Sequence, residues 1–141
     1  MDIHQFDSES KLQNHIVIWF SQSYPHLHGS LFEINNNPKN IKDAMFRRGM
    51  GMVSGVSDLV LIASDSFAGI ELKHPTTKHS KDHIENQKRW GRHIESQGGK
   101  YIMSDNAFEI KQFIISIVGN PTPNNEKTII RECCSDSSTV K

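Results

Sequence analysis

Apolar positions along the chain recur at two spacings. Over residues 8 to about 23, Leu12, Ile16, Trp19 and Phe20 fall on one helical face, Ser8 stands where an N-cap belongs, and Tyr24-Pro25 ends the pattern. Ser30 to Ile34 reads as a short strand and NNNPKN, residues 35 to 40, as a turn or loop. Residues 41 to 48 suit a helical turn, and the glycine-rich GMGMVSG that follows suits irregular backbone. Strands are predicted at about 57 to 63 and 68 to 73, joined by a turn near Ser64-Asp65-Ser66. Ser80 caps a helix that runs to about Gln97 and stops at Gly98-Gly99. Tyr101 to Met103 is a short strand, and Asp105 caps a last helix with Phe108, Phe113 and Ile117 among its apolar positions. The resulting order predicts a mixed α/β sheet with helices on its faces.

From Gly119 onward the periodicity stops. NPTPNNEK and SDSSTVK have the composition of a flexible polar tail, so one domain is expected over 1–118 and a tail over 119–141. The full 141 residues fit one core. No stretch approaches the roughly 20 apolar residues of a membrane span, and MDIHQFDSES lacks the basic and apolar regions of a signal peptide. The expectation is an intracellular, cytoplasmic protein with no membrane contact. Cys133 and Cys134 are adjacent and form neither a disulfide framework nor a CxxC metal spacing.

The two central strands carry charges in unusual places. Side chains alternate faces along a strand, so Glu71 and Lys73 share one face of GIELK while Ile70 and Leu72 take the other. A short hairpin makes this strand the neighbour of SDLVLI, where Asp58, Val60 and Ile62 share a face. If Asp58 and Glu71 project to the same side, their oxygens can converge on a hard divalent cation such as Mg²⁺. Lys73 would then point into the site, placed to hold or activate an attacking water or to balance charge on a phosphate. The bland alternative is an edge hairpin with solvent-facing polar residues. Two helices weigh against it. Glu9 and Gln13 continue the stripe of Ile16 and Phe20, and Gln87 falls on the stripe of Trp90 and Ile94. Polar residues at the ends of two core-facing stripes suggest one polar pocket.

The ordered set of motifs resembles the virus-type replication-repair nuclease (VRR-NUC) domain, a branch of the PD-(D/E)XK nuclease superfamily. The matching residues are ESKLQ (Glu9, Gln13), GVSD (Gly55, Asp58), ELK (Glu71, Lys73) and SKDHIENQKRW (Ser80, Gln87, Trp90), and the likeness covers roughly residues 8 to 118. The family has proline before the aspartate where this chain has Ser57, a position that shapes the start of the strand and is not a ligand. The resemblance implies a restriction-endonuclease-like mixed sheet flanked by helices and a Mg²⁺- or Mn²⁺-dependent nuclease. It implies that Asp58 and Glu71 are metal ligands with the Leu72 carbonyl as a third, that Lys73 is catalytic, that Glu9 is an auxiliary carboxylate acting directly or through water, and that Gln87 supports the site or contacts phosphate.

Formal net charge is zero, but the charge is uneven. Lys39, Lys42, Arg47 and Arg48 make one basic cluster, and Lys78, Lys81, Lys88, Arg89 and Arg92 make another. Both flank the proposed site and could neutralise phosphates of DNA. His79 and His83 have the i, i+4 spacing of a zinc pair but no supporting pattern, and they read as exposed histidines at a helix start. His26 and His28 read the same way in a loop, and Trp19 and Trp90 read as core residues. A domain this small offers little contact area for specific DNA recognition, which usually needs about 1,000 Å² or more. That points to a homodimer, with Met50 and Met52 supplying apolar surface, and to a symmetric branched substrate such as a four-way junction. A non-catalytic nucleic-acid-binding module, an interaction protein and a general nicking nuclease remain open alternatives.

Overall fold

The computed structural model describes residues 6–121. Most of the expected tail, with Cys133 and Cys134, lies outside the described residues. Four helices and four strands follow in the order α1 (Glu9–Ser23), β1 (Leu31–Glu33), α2 (Ile41–Gly49), β2 (Leu59–Ile62), β3 (Phe67–Leu72), α3 (Lys81–Ser96), β4 (Lys100–Ser104) and α4 (Ala107–Val118), with a 3₁₀ turn at Pro25–Leu27. Ser8 and Ser80 cap α1 and α3 as the sequence predicts, each accepting a backbone N–H three residues on. The cap of α4 is Asn106, not Asp105, because its side-chain oxygen is the one that reaches the Glu109 amide. The predicted turn at 41 to 48 is a full helix.

The sheet order is β1-β2-β3-β4. β1, β2 and β3 pair antiparallel, and β3 pairs β4 in parallel through the α3 crossover. β3 is central and nearly all buried, which is why it reads as a continuous apolar run broken only by Glu71. One face of the sheet, with Leu59, Leu61, Ala68, Ile70 and Leu72, packs against Leu12, Ile16 and Phe20 of α1 and Ile110 and Ile114 of α4. Each of the buried leucine, isoleucine and phenylalanine side chains contributes about 1.5–3 kcal/mol by leaving water.

The other face carries α3, held unusually close. A Cβ on Gly69 would overlap the Trp90 ring, and one on Gly91 would overlap the Tyr101 ring. Trp90 and Tyr101 meet edge to face at 6.0 Å, so the half-buried Trp90 packs between α3 and the sheet, outside the main core that its spacing predicted. Among the described residues no helix is long and apolar enough to cross a membrane.

Candidate metal and phosphate site

The register brings the charges together. Leu59 pairs with Ile70, so Asp58, one residue earlier, stands opposite Glu71 at the end of the ladder. Asp58 is fixed twice. Its carbonyl accepts from the Ile34 amide at 3.0 Å, and its Oδ2 accepts from the Leu72 amide at 2.9 Å. Gly55 allows the approach, with φ +82°, and a Cβ there would lie 2.5 Å from the Asn86 carbonyl of α3. Ser57 is fully buried and its hydroxyl donates to the Leu59 carbonyl, so a short side chain does the shaping at the start of β2.

Glu71 is 3% exposed and sits under α3. Its Oε1 accepts from the Gln87 amide and from the Lys73 ammonium, the latter at 3.3 Å. Lys73 also donates to Gln87 Oε1 at 2.6 Å, closing a ring of three side chains. Glu71 Oε2 is buried with no hydrogen-bond partner. Burial and the nearby Asp58 charge push Glu71 up to about 7, against the opposing pull of Lys73. Burial also raises Asp58, with a contribution from the Glu9 charge.

Glu9 is half-buried at the first turn of α1, and its Oε1 accepts from His79 Nε2 at 3.0 Å. Gln13 reaches Glu33 of β1 at 3.3 Å. Glu9, Gln13, Glu33, Asn35, Asn37 and Asp58 line an open polar cleft of about 190 Å³. Asp58 is shared, with the cleft on its α1–β1 side and the Glu71–Lys73–Gln87 ring on its α3 side.

Hard oxygen donors dominate here, and one of them, Glu71 Oε2, is buried and idle. This fits a divalent cation of the Mg²⁺ type, which is commonly bound through one or two carboxylates plus water and substrate phosphate. Among the described residues no three His, Cys, Asp or Glu side chains converge as a ready-made ligand set. The fit therefore rests on Asp58 and Glu71, with the Leu72 carbonyl beside them.

Of the basic residues, Lys39, Lys42, Arg48, Lys78, Lys81, Lys88 and Arg89 are exposed. Arg47 is half-buried and paired with Asp43 at 3.0 Å, and Arg92 is paired with Glu85 at 2.9 Å. These two are therefore less available to a phosphate than their neighbours.

His26 and His28 are exposed, as predicted. His79 departs from the expectation: it is half-buried and bonded to Glu9, and its ring stacks on His83. His83 is exposed overall, yet its Nε2 bonds the Gln87 amide at 3.1 Å. A signal was present for His83, which stands four residues before Gln87 on α3, whereas His79 precedes the Ser80 cap and helical spacing does not place it. His74, unremarked in the sequence, is also buried. Its Nε2 donates to the Phe6 carbonyl at 2.8 Å and its Nδ1 accepts from the Thr76 amide, which ties the loop after Lys73 to the segment before α1. Glu33 was missed because nothing in a three-residue edge strand says that it faces α1.

The chain is similar to a solved structure described as a "VRR_NUC domain protein", with 16% identity, a TM-score of 0.58, and coverage of 84% of this chain and 99% of that one. No protein-family model matches the chain, and the search of curated proteins finds no match. The likeness establishes the fold: a four-stranded mixed sheet flanked by four helices, with a nuclease-like arrangement.

Proposed function

We infer that the chain is a divalent-metal-dependent phosphodiesterase acting on DNA, an endodeoxyribonuclease. The observation that carries this reading is the ring of Glu71, Lys73 and Gln87 beside Asp58, in which a buried carboxylate keeps one oxygen without a partner. The likeness to a VRR_NUC domain protein supports the same reaction class. Asp58, Glu71 and the Leu72 carbonyl would hold Mg²⁺ or Mn²⁺, with Glu9 auxiliary. Bound there, the ion would supply polarisation of the phosphodiester and a water of lowered pKa. Gln87 orients the Lys73 ammonium, which steers the attacking water or balances charge developing on the phosphate. Lys39, Lys42 and Arg48 near α2, and Lys78, Lys81, Lys88 and Arg89 around α3, neutralise flanking phosphates, so binding weakens as salt rises.

The working unit in this reading is a homodimer and the substrate is branched. Support comes from α2, which buries none of its residues and leaves Ile41, Met45 and Phe46 67–83% exposed, whereas Met52, expected on this surface, is half-buried. Met50 and Val53 extend this surface into the glycine-rich segment. Apolar surface of this kind marks a protein interface. Two sites related by a two-fold axis suit paired cuts in a four-way junction.

The test is a Mg²⁺/Mn²⁺ cleavage assay on linear, nicked, flapped and four-way-junction DNA, with light scattering for mass. The expected result is metal-dependent cutting that favours the junction, from a particle near twice 16.0 kDa. A monomer that cuts junction and linear duplex equally would leave a general nicking nuclease. DNA binding with no cleavage under either metal would leave a binding module.

A further inference from the structure

We propose that His79 is a positioning residue that holds the Glu9 carboxylate at the rim of the Asp58–Glu71 site, with His83 bracing it. This rests on the metal-site reading above and adds to it two side chains outside the ligand set.

The geometry is a continuous chain of contacts from α1 to α3. It starts at Glu9, the first residue of α1, whose Oε1 accepts from His79 Nε2 at 3.0 Å although the two are 70 residues apart. Both side chains are largely shielded, at 26% and 19% exposure. The His79 ring lies on the His83 ring with centroids 5.0 Å apart and planes within 18°. His83 Nε2 bonds the Gln87 amide at 3.1 Å, and Gln87 bonds Lys73 and Glu71.

Proton bookkeeping fixes the direction of each link. The Gln87 amide nitrogen has two hydrogens, and its partners are Glu71 Oε1 and His83 Nε2. His83 therefore accepts at Nε2 and carries its proton on Nδ1. Gln87 Oε1 is left to accept from Lys73, as observed. The Glu9 oxygen can only accept while ionised, so His79 donates from Nε2. Every donor and acceptor along the path is thus assigned once, with no conflict.

The physical consequence concerns Glu9. A glutamate in the first turn of a helix has several open rotamers and loses side-chain entropy when fixed. The 3.0 Å bond from His79 fixes it in advance, and the stack on His83 fixes His79. Partners that orient ligands in this way are typically worth 10–100-fold in metal affinity or activity.

The experiment is calorimetric titration of Mn²⁺ into the full chain, with far-UV circular dichroism as the folding control. His79→Ala should weaken Mn²⁺ binding about tenfold or more. His79→Phe keeps a ring for the stack but has no N–H to give, and it should weaken binding to the same extent. His79→Gln keeps a donor and should recover most of the affinity. In a Glu9→Ala background, where the acceptor is gone, His79→Phe should add nothing, since residues acting through one contact are not additive. A structural role in loop packing would instead lower the melting temperature and leave the affinity of folded protein alone. Wild-type affinity in His79→Phe, or an equal loss in the Glu9→Ala background, overturns the assignment. Failure of the metal site itself reads differently: Asp58→Ala and Glu71→Ala would then bind Mn²⁺ as tightly as the wild type.

Discussion

On the α3 face, the two halves of the sheet are covered differently. Over β3 and β4, α3 presses so closely that a side chain on Gly69 or Gly91 has no room, and Glu71 lies sealed beneath it. Over β1 and β2 the same face leaves Phe32 and Ile62 at 37% and 51% exposure, and α2, which joins these two strands, buries nothing. Asp58 stands at the seam. The contrast separates two tasks. The closed half holds a charged cluster in a fixed geometry, where low polarity strengthens every interaction. The open half leaves its apolar side chains in contact with solvent.

The largest expected effect lies in the closed half. Asp58→Ala and Lys73→Ala should each lower DNA cleavage by roughly a thousandfold, the scale of losing a group that stabilises transition-state charge. Circular dichroism should show the fold retained. Cleavage within a few-fold of wild type in both variants would move the chemistry elsewhere.

Next in size is the packing difference itself. Gly69→Ala drives a methyl group into Trp90 and should cost about 1–3 kcal/mol in urea unfolding. Phe46→Ser on α2, 68% exposed, should change the stability of the monomer by no more than about 0.5 kcal/mol. It should instead shift the light-scattering mass toward 16.0 kDa. Equal stability losses at the two positions would erase the distinction between the halves.

A smaller effect comes from pH. Glu71 titrates near 4.5 when unfolded and is pushed up to about 7 by burial and the Asp58 charge. The folded state therefore favours the protonated acid. That stabilisation is complete below 4.5 and is lost as pH rises through about 7. Without metal, the melting temperature should fall between pH 5 and pH 8, and Glu71→Gln should flatten the fall. Mn²⁺ should stabilise the wild type more at pH 8 than at pH 5, because the ionised carboxylate is the form that binds. A wild-type melting temperature that rises over this range would contradict the burial argument.

Much of the closed half is legible in the sequence. The stripe of Leu12, Ile16 and Phe20 marks the buried face of α1, and all three are buried. Alternation in SDLVLI and GIELK, joined by a short turn, is enough to set Asp58 opposite Glu71, because a tight hairpin leaves little freedom of register. Gln87 stands out because a polar residue interrupts an apolar stripe, and it is buried. The misses share one cause: they depend on contacts between segments far apart in sequence. His79 meets Glu9 only once the segment before the Ser80 cap comes to rest against α1, and a residue outside the helix has no periodicity to say what it faces. Glu33 meets Gln13 across twenty residues in the same way. The exposure of α2 is also hidden, since Ile41, Met45 and Phe46 look like any apolar helical face until the sheet proves to have no place for them. Asp105 and Asn106 are both good caps, and only the backbone direction after Ser104 chooses between them.

The most direct measurement is the initial rate of DNA cleavage as Mn²⁺ is raised from zero, for the wild type and for Glu71→Ala side by side. The wild type is expected to be silent without metal and to saturate with it, while Glu71→Ala stays at background throughout. Cleavage by the wild type in excess chelator, or a Glu71→Ala curve that overlays the wild type, would contradict the assignment of the buried carboxylate as the metal's anchor.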